Sequence, residues 1–524
     1  MRVAAFPQNF AGQLALAFAA GGIGVLAFRP FQAWPLAIVS LFLLFALLAR
    51  VGSTWRGWML GYSFGMGLFI FGVPWIYTSL HDFGGMPVVL AAAATFLFAC
   101  YLALFPALFA ASHCYLVRRF SVAPPAALLL IMPAGFVLWE YIRGNFFSGF
   151  PWLVFGYSQT PGGMWFAPLM GYAPLLGVFG IGGLLAFTAG AGVWITTAGS
   201  RKRRALLVSL IGLWVAGALL HRYPWSAPIG APIAVSLLQG NVPQSLKWRE
   251  EQLPVTLDNY YRLVVASRAT LVVLPETALS ASLHDVPSEY LAALKRHLEK
   301  NGGDVIAGVT IVERGASKQA PYIVSNSAIS LGQSPPQRYD KQHLVVFGEF
   351  IPPLFSWVYR WLQIPVGDMA AGRADQQPMR VAGQAVGVNI CYEDAFGAEL
   401  SRQLPEATLL VNMSNMAWFG AYLAADQQTQ FSQMRSLELG RWMLRATNTG
   451  VTAAINEQGE IVGALPQFVR GALEVSVQPR SGTTPYVRWN DWMILSIALL
   501  AMLVGCRIKR QDRDSARLAA GKWL

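Results

Sequence analysis

Charge is what this sequence has least of. Only 13% of its 524 residues are Asp, Glu, Lys or Arg, while 55% are hydrophobic, and the mean hydropathy is +0.44. Soluble domains carry about twice that share of charge. A chain that is water-soluble throughout is excluded, and lipid must supply much of its solvent. Histidine and cysteine are scarce too, at six and four residues. No cluster of His, Cys and acidic residues has the spacing of metal ligands, so neither a metal nor another cofactor is expected. The net charge is +12, yet no basic stripe with interleaved aromatics is present, so nucleic acid is not an expected partner. The positive residues fall instead in short clusters beside apolar segments.

A run of about 20 apolar residues can cross the hydrocarbon core of a bilayer. Eight candidate spans stand out, at roughly 10–28, 33–49, 57–77, 87–113, 122–142, 170–197, 204–221 and 489–506. Loop charges orient them. Arg50 and Arg56, then Arg118 and Arg119, then Arg201, Lys202, Arg203 and Arg204 mark one side. The last span is followed on that side by Arg507, Lys509, Arg510, Arg513, Arg517 and Lys522. Both termini are therefore expected in the cytoplasm, and the soluble stretch on the other face, the periplasm of a bacterium. Arg2 ahead of the first span suggests a signal peptide, but seven further spans and the lack of a convincing small-residue cleavage site favour an anchor. The organisation expected is a seven-span bundle over 1–222, a catalytic domain over 223–484, and an eighth span with a basic tail over 485–524. The connection around 143–169 faces outward and carries Trp152 and Tyr157, which suit either an interfacial aromatic belt or a wall for the soluble domain.

That domain alternates short apolar strands with amphipathic helices, the mark of a layered α/β fold. Strands are expected at Ile233–Leu238, Thr270–Leu274, Val305–Val312, Ile323–Leu331, Ala385–Ile390 and Thr408–Asn412. Helices are expected at Ser288–Lys300, which Gly302 and Gly303 stop, and at about 426–446. Glu457-Gln458-Gly459 reads as the turn of a hairpin.

Cys391 is the only cysteine of this domain. A single unpaired cysteine in an oxidising compartment is either inert and buried or a reactive thiol. It follows the apolar strand Val386–Ile390 at a sharp change to Tyr392-Glu393-Asp394, where a nucleophile is exposed and a helix N-terminus favours its thiolate. The domain's histidines, His284, His297 and His343, are poor candidates for a base, the first two lying in a polar loop and on a polar helix face. Glu276 comes directly after Leu271-Val272-Val273-Leu274-Pro275. It is either an exposed charge at a strand end or a partly desolvated carboxylate usable as a base near neutrality. Lys341 is either solvated, as most lysines are, or a fixed donor to an oxyanion.

Taken together, Leu274-Pro275-Glu276, then Tyr339-Asp340-Lys341 through Phe347-Gly348-Glu349, then Ile390-Cys391-Tyr392-Glu393 form a pattern that resembles the nitrilase (carbon–nitrogen hydrolase) superfamily. That resemblance implies an α-β-β-α sandwich with Glu276 as general base, Lys341 as oxyanion stabiliser, Cys391 as nucleophile and Glu349 as a second active-site acid. Eight spans, Phe150-Pro151-Trp152-Leu153, and Gln239-Gly240-Asn241 with Lys247-Trp248 look more narrowly like the apolipoprotein N-acyltransferases. This likeness makes Trp152, Trp248, Tyr392 and Glu393 candidates for substrate handling or support. It implies a phospholipid acyl donor, chiefly phosphatidylethanolamine, and a diacylglyceryl-modified apolipoprotein as acceptor. The acyl group would pass through a Cys391 thioester in ping-pong order. Two positions depart from the family pattern: Met416 replaces an expected Asp, and Gln428 an expected His. The rival readings are a membrane-tethered amidase that gives its acyl group to water, which leaves eight spans unexplained, and a transporter, which would place more ionisable residues inside the spans than Glu140 and Arg143.

Overall fold

The computed structural model describes residues 7–315, 322–352 and 369–510. Arg2, Arg513, Arg517 and Lys522, used above to orient the chain, lie outside the described residues. Four helices are long and apolar enough to cross a membrane: Val88–Arg119 (α5), Pro124–Asn145 (α6), Pro168–Ile195 (α7) and Ser200–His221 (α8). A fifth arises if Thr54–Gly72 (α3) and Trp75–Phe83 (α4), bent by 53° at their junction, count as one. The expected eight is thus corrected. The remaining three apolar segments are helices of 16, 14 and 16 residues: Phe10–Val25 (α1), Pro35–Leu48 (α2) and Trp492–Arg507 (α12). At 1.5 Å per residue these reach roughly 21–24 Å, short of a hydrocarbon core of roughly 30 Å. Pro74 explains the break between α3 and α4, since proline cannot continue the ladder of α3.

The soluble stretch folds as two large sheets, with Ala227–Pro228 and Arg480–Ser481 pairing as a small third. One has the order β13-β1-β2-β4-β5-β6, with β3 pairing β4 from the side. Its strands are Ile233–Gln239 (β1), Leu271–Val273 (β2), Leu279–Ser282 (β3), Asp304–Arg314 (β4), Tyr322–Gly332 (β5), Arg338–Asp340 (β6) and Gly471–Val477 (β13). The other has the order β12-β11-β10-β9-β8-β7, from Met379–Val381 (β7), Gln384–Ile390 (β8), Leu409–Ser414 (β9), Met443–Thr447 (β10), Ala453–Ile455 (β11) and Ile461–Ala464 (β12). Alternate residues face the partner sheet: Val235, Leu237, Leu271 and Val273 from one meet Val386, Val388, Leu409 and Val411 from the other in a single buried core. Outside the first sheet, Leu253–Ala266 (α9) and Ser288–Lys300 (α10) bury Leu257, Tyr260, Leu294 and Leu298 against Val272 and Val305. Outside the second, Leu439 and Tyr486 cover Leu410 and Met443. The layers are α-β-β-α, as expected, and the hairpin turn at Gly459 joins β11 to β12.

One expected element is wrong in extent. The helix foreseen over 426–446 runs from Leu423 to Leu439 (α11), and Met443–Thr447 is a strand paired in parallel with β9. Gly440, at φ +61°, ends the helix in the left-handed conformation. Every residue of α11 from Gln427 onward is buried, although the helix is rich in polar side chains. Three of them bond to groups of the apolar helices and their connections. Gln427 donates to the Gly72 carbonyl at the end of α3 (3.0 Å) and accepts from the indoles of Trp75 and Trp152 (3.2 and 2.6 Å). Gln430 accepts from the Arg29 amide (3.0 Å) and donates to the Tyr157 carbonyl (3.0 Å). Glu438 accepts at 2.7 Å from the Val178 amide, which a break at Gly177 (φ +66°) in α7 frees from its ladder. The sandwich is thereby fastened to the helical part by hydrogen bonds that fill gaps in broken helices.

Candidate active site

Four sequence-predicted residues converge just past strand ends of the two sheets. Cys391 ends β8 in the left-handed region, φ +56°, and opens a single 3-10 turn, Cys391–Ala395. This sharp turn leaves the side chain half-buried at the end of the sheet, and the carbonyl of Cys391 is clamped by Asn412 Nδ2 (3.0 Å) and Gln428 Nε2 (2.9 Å). Glu276 follows β2 on a turn that lies directly against β4. Any Cβ at Gly308 would meet the Pro275 carbonyl at 2.4 Å and the Thr277 amide at 2.5 Å, so glycine there is what admits the turn. Glu276 Oε1 accepts from Asn326 Nδ2 (2.7 Å) and Oε2 from the Asn415 amide (2.8 Å). Lys341, just past β6, is fully buried. Its ammonium donates to Glu349 Oε1 at 2.7 Å and lies 3.7 Å from Glu276 Oε1. Glu349 Oε2 accepts from the Val345 amide (2.8 Å).

The electrostatics follow from this packing. Burial draws the Lys341 ammonium down, but the carboxylates of Glu349 and Glu276 outweigh it and hold its pKa above the usual lysine range. The lysine is therefore a permanent cation. Burial pushes the Cys391 thiol well up, Glu276 adds to the rise, and Lys341 opposes it. The resting group is a neutral thiol, contrary to the expectation that a helix N-terminus holds a thiolate there. A single 3-10 turn is too short for that, so a base must take the proton as the sulfur attacks.

Glu393 is buried away from solvent and acts as a brace. Oε1 accepts from the Gln342 and His343 amides (2.7 and 3.1 Å), and Oε2 from the Ile390 amide (2.6 Å). The Tyr339 hydroxyl reaches both oxygens, at 3.1 and 3.0 Å. One side chain thus ties the residue before Cys391 to the two residues after Lys341. Tyr392 donates to the Gly149 carbonyl (3.1 Å) and stacks on Trp152, centroids 5.8 Å apart. Trp152 is itself buried between Trp75 and Phe431, so it supports the wall behind Tyr392 and is closed to solvent. Trp248 is 52% exposed and stands on the rim. His343 pairs with Glu399 and Ser148 and stacks on Phe396, which makes it structural.

Two contributors were not foreseen. Asn326, inside β5, donates to both Glu276 Oε1 and Glu349 Oε1, the latter at 3.1 Å. Lys247 is 2% exposed, donating to the Glu276 carbonyl (3.2 Å) and the Thr277 hydroxyl (2.5 Å). Nothing in the polar stretch around Lys247 signals burial.

Residues 20–191 match the family model described as the apolipoprotein N-acyltransferase N-terminal domain, and residues 234–486 match the carbon-nitrogen hydrolase model. An apolipoprotein N-acyltransferase of Nitrosomonas europaea is 43% identical over 94% of this chain and 97% of its own length. The enzyme of that name from Ralstonia nicotianae is 41% identical over 95% and 93%. The chain belongs to the apolipoprotein N-acyltransferase family. Among solved structures, a carbon-nitrogen hydrolase from Helicobacter pylori is 13% identical, covering 54% of this chain and 96% of that one with a TM-score of 0.35.

The two departures from the pattern of the N-acyltransferases now have surroundings. Met416 is buried against Gly450, while the preceding Asn415 makes the polar contacts, its amide to Glu276 and its side chain to Gln244 (2.8 Å). Gln428 donates to both the Cys391 carbonyl and Asp394 Oδ1 (3.2 Å) and accepts from Arg445 (2.6 Å). Its amide joins three groups at once beneath Cys391.

Proposed function

We propose that the chain transfers an acyl group from a membrane phospholipid to the α-amine of a diacylglyceryl-cysteine at an apolipoprotein N-terminus, the last step of lipoprotein maturation. The observation that carries this is the convergence of Cys391, Glu276 and the Glu349-paired Lys341 in a member of this enzyme family. Glu276 takes the Cys391 proton, and the thiolate attacks the donor's ester carbonyl. Lys341 and a backbone N–H of the turn after Cys391 hold the oxyanion. Collapse breaks the ester C–O bond, the lysophospholipid leaves with the proton from Glu276, and a thioester remains. The acceptor amine then attacks that thioester and gives its proton to Glu276. The C–S bond breaks, and the proton returns to sulfur. Amide formation is downhill from a thioester, so the transfer draws on no further energy source. Phosphatidylethanolamine is the proposed main donor.

The same reading sets the chain in the bacterial inner membrane. All eight apolar segments serve it, with the short α1 and α2 and the bent α3–α4 pair inside the bundle. Both termini are cytoplasmic and the sandwich periplasmic, as the Arg and Lys clusters direct. The domains are 1–222, 223–484 and 485–524. The connection around Trp152, joined to Tyr392 and through Ser148 to His343, walls the site on the bilayer side and limits water.

Incubated with phosphatidylethanolamine alone, the protein should accumulate a hydroxylamine-sensitive acyl adduct on Cys391 and release one lysophospholipid per site. A diacylglyceryl-cysteinyl peptide with a free amine should discharge the adduct as amide, and the N-acetylated peptide should not. Steady fatty-acid release without peptide, as fast as turnover with it, would make water the acceptor and the chain a tethered hydrolase.

A further inference from the structure

The catalytic centre holds two carboxylates, Glu276 and Glu349, and one cation in contact with both, Lys341. A second buried cation lies under the same turn. Lys247 reaches it from the loop after β1, with its ammonium on the Glu276 carbonyl (3.2 Å) and the Thr277 hydroxyl (2.5 Å). Thr277 sits at φ +45°, a conformation unfavourable for a β-branched residue unless its surroundings impose it. Lys247 supplies that restraint at the residue next to the proposed base. The titratable groups that face its ammonium are Glu276 and Cys391, and the Trp248 ring lies 5.9 Å away. Burial lowers this lysine to about 8, with Glu276 and then Cys391 opposing the fall. It remains mostly a cation at neutral pH.

We propose that Lys247 is a positioning residue for the reaction: it fixes the Glu276–Thr277 turn and provides the second positive charge that balances the two site carboxylates. The proposal rests on the reading of Glu276 as the base. With that cation in place, the Glu276–Thr277 turn is held and the negative charge that develops on the sulfur is balanced. Without it, the turn loses its anchor and the site carries an excess negative charge that opposes thiolate formation.

The test uses the full chain in detergent with phosphatidylethanolamine, following single-turnover acylation of Cys391 across pH. Lys247→Met removes both anchor and charge. Lys247→Gln keeps an N–H donor for the same two acceptors and removes only the charge. Both should slow acylation on the order of 10- to 100-fold and move the acid limb of the pH–rate profile to higher pH. Thermal unfolding checks that each variant is folded; if the Met variant is not, the Gln variant carries the test. A Gln variant with wild-type rate and profile would reduce Lys247 to a neutral brace and overturn the charge role. A folded Met variant with unchanged rate and limb would overturn the whole proposal. Failure of the unsubstituted protein to form any adduct would instead refute the acyl-transfer reading.

Discussion

Replacing Glu393 by Gln changes one atom in the brace between nucleophile and lysine. In the native arrangement three backbone amides and the Tyr339 hydroxyl all point at the carboxyl group. The amides of Gln342 and His343 share Oε1, so a glutamine best keeps its oxygen there. Its NH2 then faces the Ile390 amide, donor against donor, while the Tyr339 hydroxyl can turn to accept. One buried N–H loses its partner, at about 1–3 kcal/mol. For a domain of this size, where each kcal/mol moves Tm by about 2–4 °C, that is a fall of roughly 2–12 °C. The movement it forces lies between Ile390 and Gln342, the neighbours of Cys391 and Lys341, so acylation should slow on the order of 100-fold.

Acidity gives a second handle on the same variant. Burial pushes Glu393 up to about 7, with the Ile390 amide chief among the groups opposing it. A carboxyl whose folded pKa is raised contributes stability that is fully present below its unfolded pKa, near 4.5, and lost as pH rises through about 7. The variant cannot titrate, so its deficit should be largest near pH 5, shrink as pH rises to about 7 and level off above that. Thermal unfolding in detergent between pH 5 and 8, with acyl-adduct formation timed at each pH, measures both effects. A Tm within 1 °C of wild type at pH 5 and a rate within about twofold would refute the brace.

Lys341→Ala should cut adduct formation by about 100- to 1000-fold and lower Tm, since two buried carboxylates lose their shared cation; near-normal turnover would remove it as the oxyanion stabiliser. A membrane-impermeant maleimide on intact spheroplasts should label Cys391 and leave Cys506, at the end of α12, untouched; the reverse pattern would invert the proposed topology. Gln427→Leu strands the Gly72 carbonyl and the indoles of Trp75 and Trp152, each worth about 1–3 kcal/mol when buried. A marked fall in thermal stability is expected, and an unchanged Tm would show that α11 does not fasten the two parts.

Strands and the site's order were legible because they depend on local pattern. Ile233–Gln239, Gln384–Ile390 and Ser288–Lys300 carry clear periodicity, and Glu276 and Cys391 each end an apolar run. The rest depends on partners remote in sequence. Polar α11 gives no amphipathic signal because it is buried on all sides by the groups it satisfies, and its end at Gly440 is set by one residue's φ. Asn326 and Lys247 look like ordinary strand and loop residues until the sheet brings them under Glu276. The eight apolar runs are helices, but hydropathy does not register that three are short and one pair is bent at Pro74.

The glutamines of α11 also impose an order on assembly. Residues 1–222 leave the ribosome well before α11 does, and until it arrives the Gly72 carbonyl, the Val178 amide and the Tyr157 carbonyl lack the partners they have in the finished protein. The helical half therefore completes its own hydrogen bonding only when the sandwich folds onto it. A sandwich expressed by itself would in turn leave Gln427 and Gln430 without the partners they have here. The two halves complete this hydrogen bonding only together.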